Sequence, residues 1–221
     1  SSELLQLQKL EKIHVSYCNW VEEVFETALE AAGRNGNSGI GFDESSQTTT
    51  TTLVKCPNLR EMKLWGLDCL RYIWKSNQWT AFGFPNLTRV EISVCNRLEH
   101  VFTSSMVGSL LQLQEVCIWN CSQMKEVIVK DVDVSVEEDK EKESDGKTTN
   151  KEILVLPRLK SLILKHLPCL KGFSLGKEDF SFPLLDTLSI SRCPAITTFT
   201  EGNSATPQLK EIDTDFGSFY A

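Results

Sequence analysis

Apolar residues recur along this chain in a fixed pattern. With one leucine taken as position zero, Leu59 is followed by Met62 at +3, Leu64 at +5, Leu67 at +8, Leu70 at +11 and Ile73 at +14. Leu87 is followed at the same offsets by Val90, Ile92, Cys95, Leu98 and Val101, and Leu113 by Val116, Ile118, Cys121, Met124 and Val127. Leu159 leads Leu162, Leu164, Leu167, Leu170 and Phe173, and Leu185 leads Leu188, Ile190, Cys193, Ile196 and Phe199. Leu10 opens an N-terminal copy with Ile13, Val15, Cys18, Val21 and Val24, and a decaying seventh copy runs from Leu209 through Ile212 and Thr214 to Gly217. With 41% hydrophobic residues overall, chance does not fill six offsets in six copies. Positions +3 and +5 lie two residues apart, so they share one face of a short strand, and +8 and +11 line the inside of the turn that follows. In the first copy Val21, Val24, Phe25, Ala28, Leu29 and Ala32 recur at helical spacing, with Gly33 placed as a C-cap, which predicts one helix.

The anchors Leu10, Leu59, Leu87, Leu113, Leu159, Leu185 and Leu209 stand 49, 28, 26, 46, 26 and 24 residues apart. A unit of about 26 residues falls in the leucine-rich-repeat range. A single coil cannot bury its apolar stripe, whereas stacked coils can. The fold expected is therefore an α/β solenoid: a leucine-rich-repeat horseshoe with a parallel concave sheet and an irregular or short-helical convex side, formed by residues 1–221 as one domain fragment. The two long spacings each hold one unit plus an insertion. One is Gly- and Thr-rich, at 33–52, and the other is acidic, at 130–152. Neither has the apolar residues to fold alone, so both are expected as mobile loops. The acidic loop is either a tolerated surface insertion or a partner-binding segment.

Charge changes this picture little. The net charge is −7, and residues 131–145 carry most of it, with eight acids against Lys140 and Lys142. The balance argues against nucleic acid and membrane-surface partners. No apolar run approaches the roughly 20 residues of a membrane span. The chain lacks an initiator Met and starts and stops abruptly, and is read as a piece of something longer.

Candidate chemistry is sparse. The stretch GRNGNSGIG, from residue 33, lacks the Lys-Ser/Thr of a phosphate-binding loop. His14, His100 and His166 fall at different offsets in different copies, without a carboxylate or Cys at ligand spacing. Cys18, Cys95, Cys121 and Cys193 occupy the +8 offset that Leu67 and Leu167 fill elsewhere, so they read as small buried hydrophobes. Cys117 and Cys121 are four apart at offsets that point in different directions. Free core thiols suit a reducing, cytoplasmic compartment. The sequons at Asn86 and Asn120 have their middle residue in the core and read as chance. No nucleophile–base pair or carboxylate pair stands out, so no catalytic, cofactor-binding or metal site is expected.

Offsets +2, +4, +6 and +7 are expected to point outward. Among them are Glu61, Lys63, Trp65 and Gly66; Arg89, Glu91, Ser93 and Val94; Glu115, Cys117, Trp119 and Asn120; Ile163, Lys165 and His166; and Ser189 and Arg192. They vary between copies while the core offsets do not, which suits protein recognition. The candidate protein-binding residues of the concave face are Lys63, Trp65, Arg89, Glu91, Glu115, Trp119 and Lys165. Trp65 and Trp119 share offset +6, two coils apart, at about 10 Å for strands about 4.8 Å apart. An outward Trp is a frequent interface hot spot, and the alternative is that each folds down over a neighbouring coil.

The strings FPNLTRVEISVCNRLEHVF, LLQLQEVCIWNCSQMKEVIV, LPRLKSLILKHLPCLKGF and FPLLDTLSISRCPAITTF share a form with an acidic insertion after MKEVI. In this, residues 4–215 resemble the C-terminal leucine-rich repeats of plant intracellular nucleotide-binding leucine-rich-repeat disease-resistance proteins, in particular the coiled-coil class and its lettuce downy-mildew resistance type. The resemblance implies a region that detects pathogen effectors or guarded host proteins and contacts the parent's own nucleotide-binding domain to hold it off. ADP or ATP would belong to that domain, and this chain would hold no cofactor and be no enzyme. A leucine-rich-repeat substrate adaptor of a ubiquitin ligase is the alternative. An F-box or a nucleotide-binding domain preceding the repeats would tell the two apart.

Overall fold

A computed structural model of the chain describes residues 9–25, 52–74, 80–131, 153–215 and 217–220. Its main element is an eight-stranded sheet, in the order Lys12–Ser16, Glu61–Trp65, Arg89–Ser93, Glu115–Trp119, Ser161–Lys165, Thr187–Ser191, Glu211–Thr214 and Gly217–Tyr220. The first seven strands run parallel, and the last turns back antiparallel on the seventh. The register keeps equal offsets opposite one another, as in Glu61↔Arg89↔Glu115↔Ser161↔Thr187.

Two turns close each coil, and the sequence explains both. The anchor amide donates to the carbonyl three residues before it: Leu59 to Cys56, Leu87 to Phe84, Leu159 to Leu156, Leu185 to Phe182 and Leu209 to Thr206. In each of these a proline (Pro57, Pro85, Pro157, Pro183 or Pro207) holds the second turn position, where its fixed φ is already correct. The second turn joins +11 to +8, as in Leu70 to Leu67, Leu98 to Cys95 and Ile196 to Cys193.

Between strand and second turn, position +7 is left-handed. Tyr17, Val94, Asn120, His166 and Arg192 have φ of 53–56°, and Gly66 has φ 63°. The conformation aims each +7 amide at the carbonyl of the +6 residue in the next coil: Tyr17 at Trp65, Gly66 at Ser93, Val94 at Trp119, Asn120 at Lys165 and His166 at Ser191. For Arg192 the acceptor is instead the Asp215 carboxylate, at 2.6 Å.

The apolar offsets form one continuous core. The +3, +5, +8 and +11 residues of the copies that start at Leu59, Leu87, Leu113 and Leu159 are all buried. At the first coil Leu10, Ile13, Val15, Cys18, Val21 and Val24 are only partly covered, as is Leu209 in the last. Rings fill the side away from the long sheet. Trp74 packs against Phe25, Phe84 and Phe102 with centroids 5.3, 4.4 and 6.0 Å away, and its indole N–H donates to the Val101 carbonyl. Phe173, Phe180, Phe182 and Phe199 form a second group.

The helix expected in the first copy is corrected where it can be seen. Glu23–Phe25 is a strand paired in parallel with Tyr72–Trp74, and Phe25 is buried against Trp74. The apolar spacing there serves the aromatic core, and the backbone bonds go to the next coil. Ala28, Leu29, Ala32 and Gly33 lie outside the described residues. Short parallel strands recur elsewhere on the back, at Phe102–Thr103, Glu126–Val129 and Gly172–Ser174, and at Ile153–Val155, Asp179–Ser181 and Ser204–Ala205. Among the described residues the only helix is the single turn Ser104–Val107. The insertions at 33–52 and 130–152 lie outside the described residues except at their ends. Thr52 opens the strand Thr52–Lys55, and Lys130 and Asp131 continue from Glu126–Val129.

Candidate protein-recognition face

All seven candidate residues lie on the long sheet at offsets facing away from the buried leucines. Each strand shows the reason in its alternation: in Glu61–Trp65, Met62 and Leu64 are buried while Glu61, Lys63 and Trp65 are not. Three rows cross the strands. The +2 row includes Glu61, Arg89 and Glu115, the +4 row Lys63, Glu91, Cys117 and Ile163, and the +6 row Trp65, Ser93, Trp119 and Lys165.

The first four strands carry a continuous ion network. Lys12 Nζ and Lys63 Nζ lie 3.3 and 2.9 Å from the Glu61 carboxylate. Lys63 also approaches Glu91 at 3.8 Å, Arg89 meets Glu91 at 3.4 Å, and Arg89 Nη1 donates to Glu115 Oε2 at 2.7 Å. Opposite charges facing each other across strands stabilise by tenths of a kcal/mol to about 1 kcal/mol each. The hydrogen bond from Lys63, with Lys12 behind it, holds the Glu61 carboxyl down to about 2 against the opposing effect of burial. His14 Nε2 also comes within 3.6 Å of Glu61, a neighbour not visible in sequence spacing. That carboxylate is already shared by two lysines, so the contact belongs to the ion network and does not set up a base-orienting dyad.

The +6 row has a different character. Trp65 is 53% exposed, Trp119 is half-buried, and Ser93 between them is 3% exposed. The pattern places Ser93 on the outward side. It faces the expected side, but the flanking indoles leave it little access to water. Ser189 is likewise buried and donates to Asp213 Oδ2 at 3.0 Å. Gly66 is buried beneath Tyr17, whose ring centroid is 5.4 Å from that of Trp65. Lys165, opposite Trp119, has no ion pair among the described residues. In the adjacent +4 row Cys117 and Ile163 face each other and are half-buried, and burial raises the Cys117 thiol pKa above its ordinary value.

Trp20, outside the candidate face, is 91% exposed in the first coil. The signal was present: a tryptophan at an offset, +10, where the pattern does not ask for an apolar residue. All eight cysteines are free thiols, and those at +8 each donate to the carbonyl two residues back, at 3.3–3.5 Å. Burial pushes the Cys56 thiol up to about 11. Among the described residues no three His, Cys, Asp or Glu side chains are grouped to hold a metal ion, and no helix is long and apolar enough to cross a membrane.

A family model described as plant disease resistance protein RPS2-like, leucine-rich repeats, matches residues 1–122. No curated protein and no solved structure matches the chain.

Proposed function

The chain belongs to the RPS2-like leucine-rich repeats of plant disease resistance proteins, and on that premise we propose that its long sheet is the protein-recognition face of an immune receptor. The partner is a pathogen effector or a host protein that an effector has altered. The same array contacts the parent's nucleotide-binding domain, which holds the ADP or ATP, and restrains it in the cytoplasm until recognition. Within the family we assign the parent to the coiled-coil class, of the lettuce downy-mildew resistance type, because the FPNL-type anchors and the acidic insertion after MKEVI resemble that group.

One observation carries the reading. On a face whose first four strands carry an ion network, Trp65, more than half exposed, and Trp119, half-buried, stand in the same row. Large aromatics in such positions carry a disproportionate share of interface energy. The ion network around them fixes orientation and rejects wrong partners more than it adds affinity.

The test uses the full-length parent in leaf tissue under matching pathogen challenge. Wild type is compared with Trp65→Glu, Trp119→Glu and the double variant at equal protein levels. Lost cell death, or cell death without challenge, is the expected result. An unchanged response would remove this face from both recognition and restraint.

A further inference from the structure

Beside the long sheet, at the C-terminal ends of its central strands, lies a groove of about 1170 Å³. Asn120, His166 and Arg192, three of the left-handed +7 residues, stand along it, and Ile190, Pro194 and Ile196 contribute apolar surface. The groove exceeds the roughly 300–1,000 Å³ typical of small-molecule pockets. Its lining residues come from five successive coils, from Asn96 to Asp215, an extent suited to a length of chain.

The charges and hydrogen-bonding groups define what that chain must offer. Arg192 Nη1 donates to His166 Nε2 at 2.8 Å, which steadies the guanidinium and leaves its other N–H groups available. Arg192 has no carboxylate paired to its side chain among the described residues, and neither does Lys165, the residue before His166. The nearest acid in the groove, Asp215, has one oxygen engaged by the Arg192 backbone amide. Lys165 lies beside the groove, opposite Ser191, the residue before Arg192, so Arg192 and Lys165 together outnumber the one acid of the lining, Asp215. Asn120 is exposed, and its backbone amide is used in the ladder while its carboxamide makes no hydrogen bond among the described residues. A carboxamide presents donor and acceptor side by side, the complement of a peptide unit.

We propose that this groove receives an extended acidic peptide segment of the partner protein. A carboxylate meets Arg192 and Lys165, a peptide unit pairs with Asn120, and an apolar side chain covers Ile190 and Ile196. Trp119, adjacent in sequence to Asn120, links the groove to the sheet face. The proposal rests on the reading of the chain as a recognition region and extends that region onto its margin.

The 1–221 chain is panned against a displayed library of random peptides, and the enriched peptides are synthesised and titrated. Enrichment of Asp or Glu beside Leu, Ile or Phe is expected. Arg192→Asn should weaken binding about tenfold or more, as expected for a charge-assisted contact, and Lys165→Gln and Asn120→Gly should each weaken it to a lesser degree. Asn and Gly tolerate left-handed backbone, so these variants leave the turn intact, and an unchanged melting curve confirms that each is folded. No enrichment, enrichment without acids, or binding indifferent to Arg192→Asn would overturn the proposal. If that happens while the tryptophan variants still alter the leaf response, the groove fails and the sheet reading stands. Peptide binding lost only in Trp65→Glu places the acidic peptide on the sheet and also removes the groove.

Discussion

Tyr17 lies against Gly66 so closely that a β-carbon on the glycine would sit 3.0 Å from Tyr17 Cδ1 and 3.3 Å from Cε1. The glycine is also the left-handed residue of its coil, at φ 63°. Gly66→Ala is expected to cost about 1 kcal/mol from the backbone alone, with a further small loss as the exposed Tyr17 ring shifts. The opposite change is available one coil on. Val94 is β-branched and held at φ 54°, and Val94→Asn should gain roughly 0.5 kcal/mol, relief of backbone strain outweighing the loss of a half-buried side chain. Urea midpoints of the two variants should therefore move in opposite directions. Midpoints that move together would mean that the +7 conformation is not what limits these turns.

Acid should weaken the array through Glu61. An unfolded glutamate titrates near 4.3, whereas the folded carboxyl is held at about 2 by Lys63 and then Lys12. A depressed folded pKa stabilises the fold fully above the unfolded value, and that contribution is lost as pH falls through the folded one. The window therefore runs from about pH 4.3 down to about pH 2. Glu61→Gln should flatten the fall in urea midpoint between about pH 5 and pH 3. A slope equal to wild type would show that the Glu61 contacts contribute no linked stability.

Asp131, the first acid of the long acidic run, serves a structural role. Its carboxylate accepts from the Ser105 amide at 2.6 Å and from the Ser104 and Ser105 hydroxyls at 2.8 and 3.1 Å, while its own amide donates to Ser104 Oγ. Asp131→Ala should cost about 1 kcal/mol, the scale of a lost helix-end cap, and Asp133→Ala should change the melting curve little. Equal effects would mean that the run acts through its summed charge.

The long sheet was legible because its information is periodic. Side chains at +3 and +5 face the core in every copy, so six copies report the same constraint. The turns before the anchors are marked by Pro57, Pro85, Pro157, Pro183 and Pro207, but only the structure shows the bond that these prolines favour. The left-handed +7 position was not, since Tyr, Val, Asn, His and Arg fill it and Gly66 alone hints at it. What demands that conformation is a carbonyl in the next coil, and a single coil's sequence does not contain it. Glu23–Phe25 was misread as helical for a related reason: its apolar residues serve an aromatic core, and its backbone partners come from Tyr72–Trp74, about fifty residues away. Ser93 illustrates the limit for the candidate face. Its direction follows from strand alternation, but its burial depends on which residues happen to stand at +6 in the two adjoining strands.

The reversed strand Gly217–Tyr220 gives the array a direction in evolutionary terms. Where strands are parallel and in register, a duplicated coil inserted between two neighbours finds on both sides the edge it needs, and the series lengthens without redesign. Past Glu211–Thr214 that ceases to hold, because the next edge runs the other way and offers no matching anchor, turn or +6 carbonyl. Duplications that add or remove recognition surface are therefore tolerated among the parallel coils, and variation in coil number among descendants of this sequence should accumulate there.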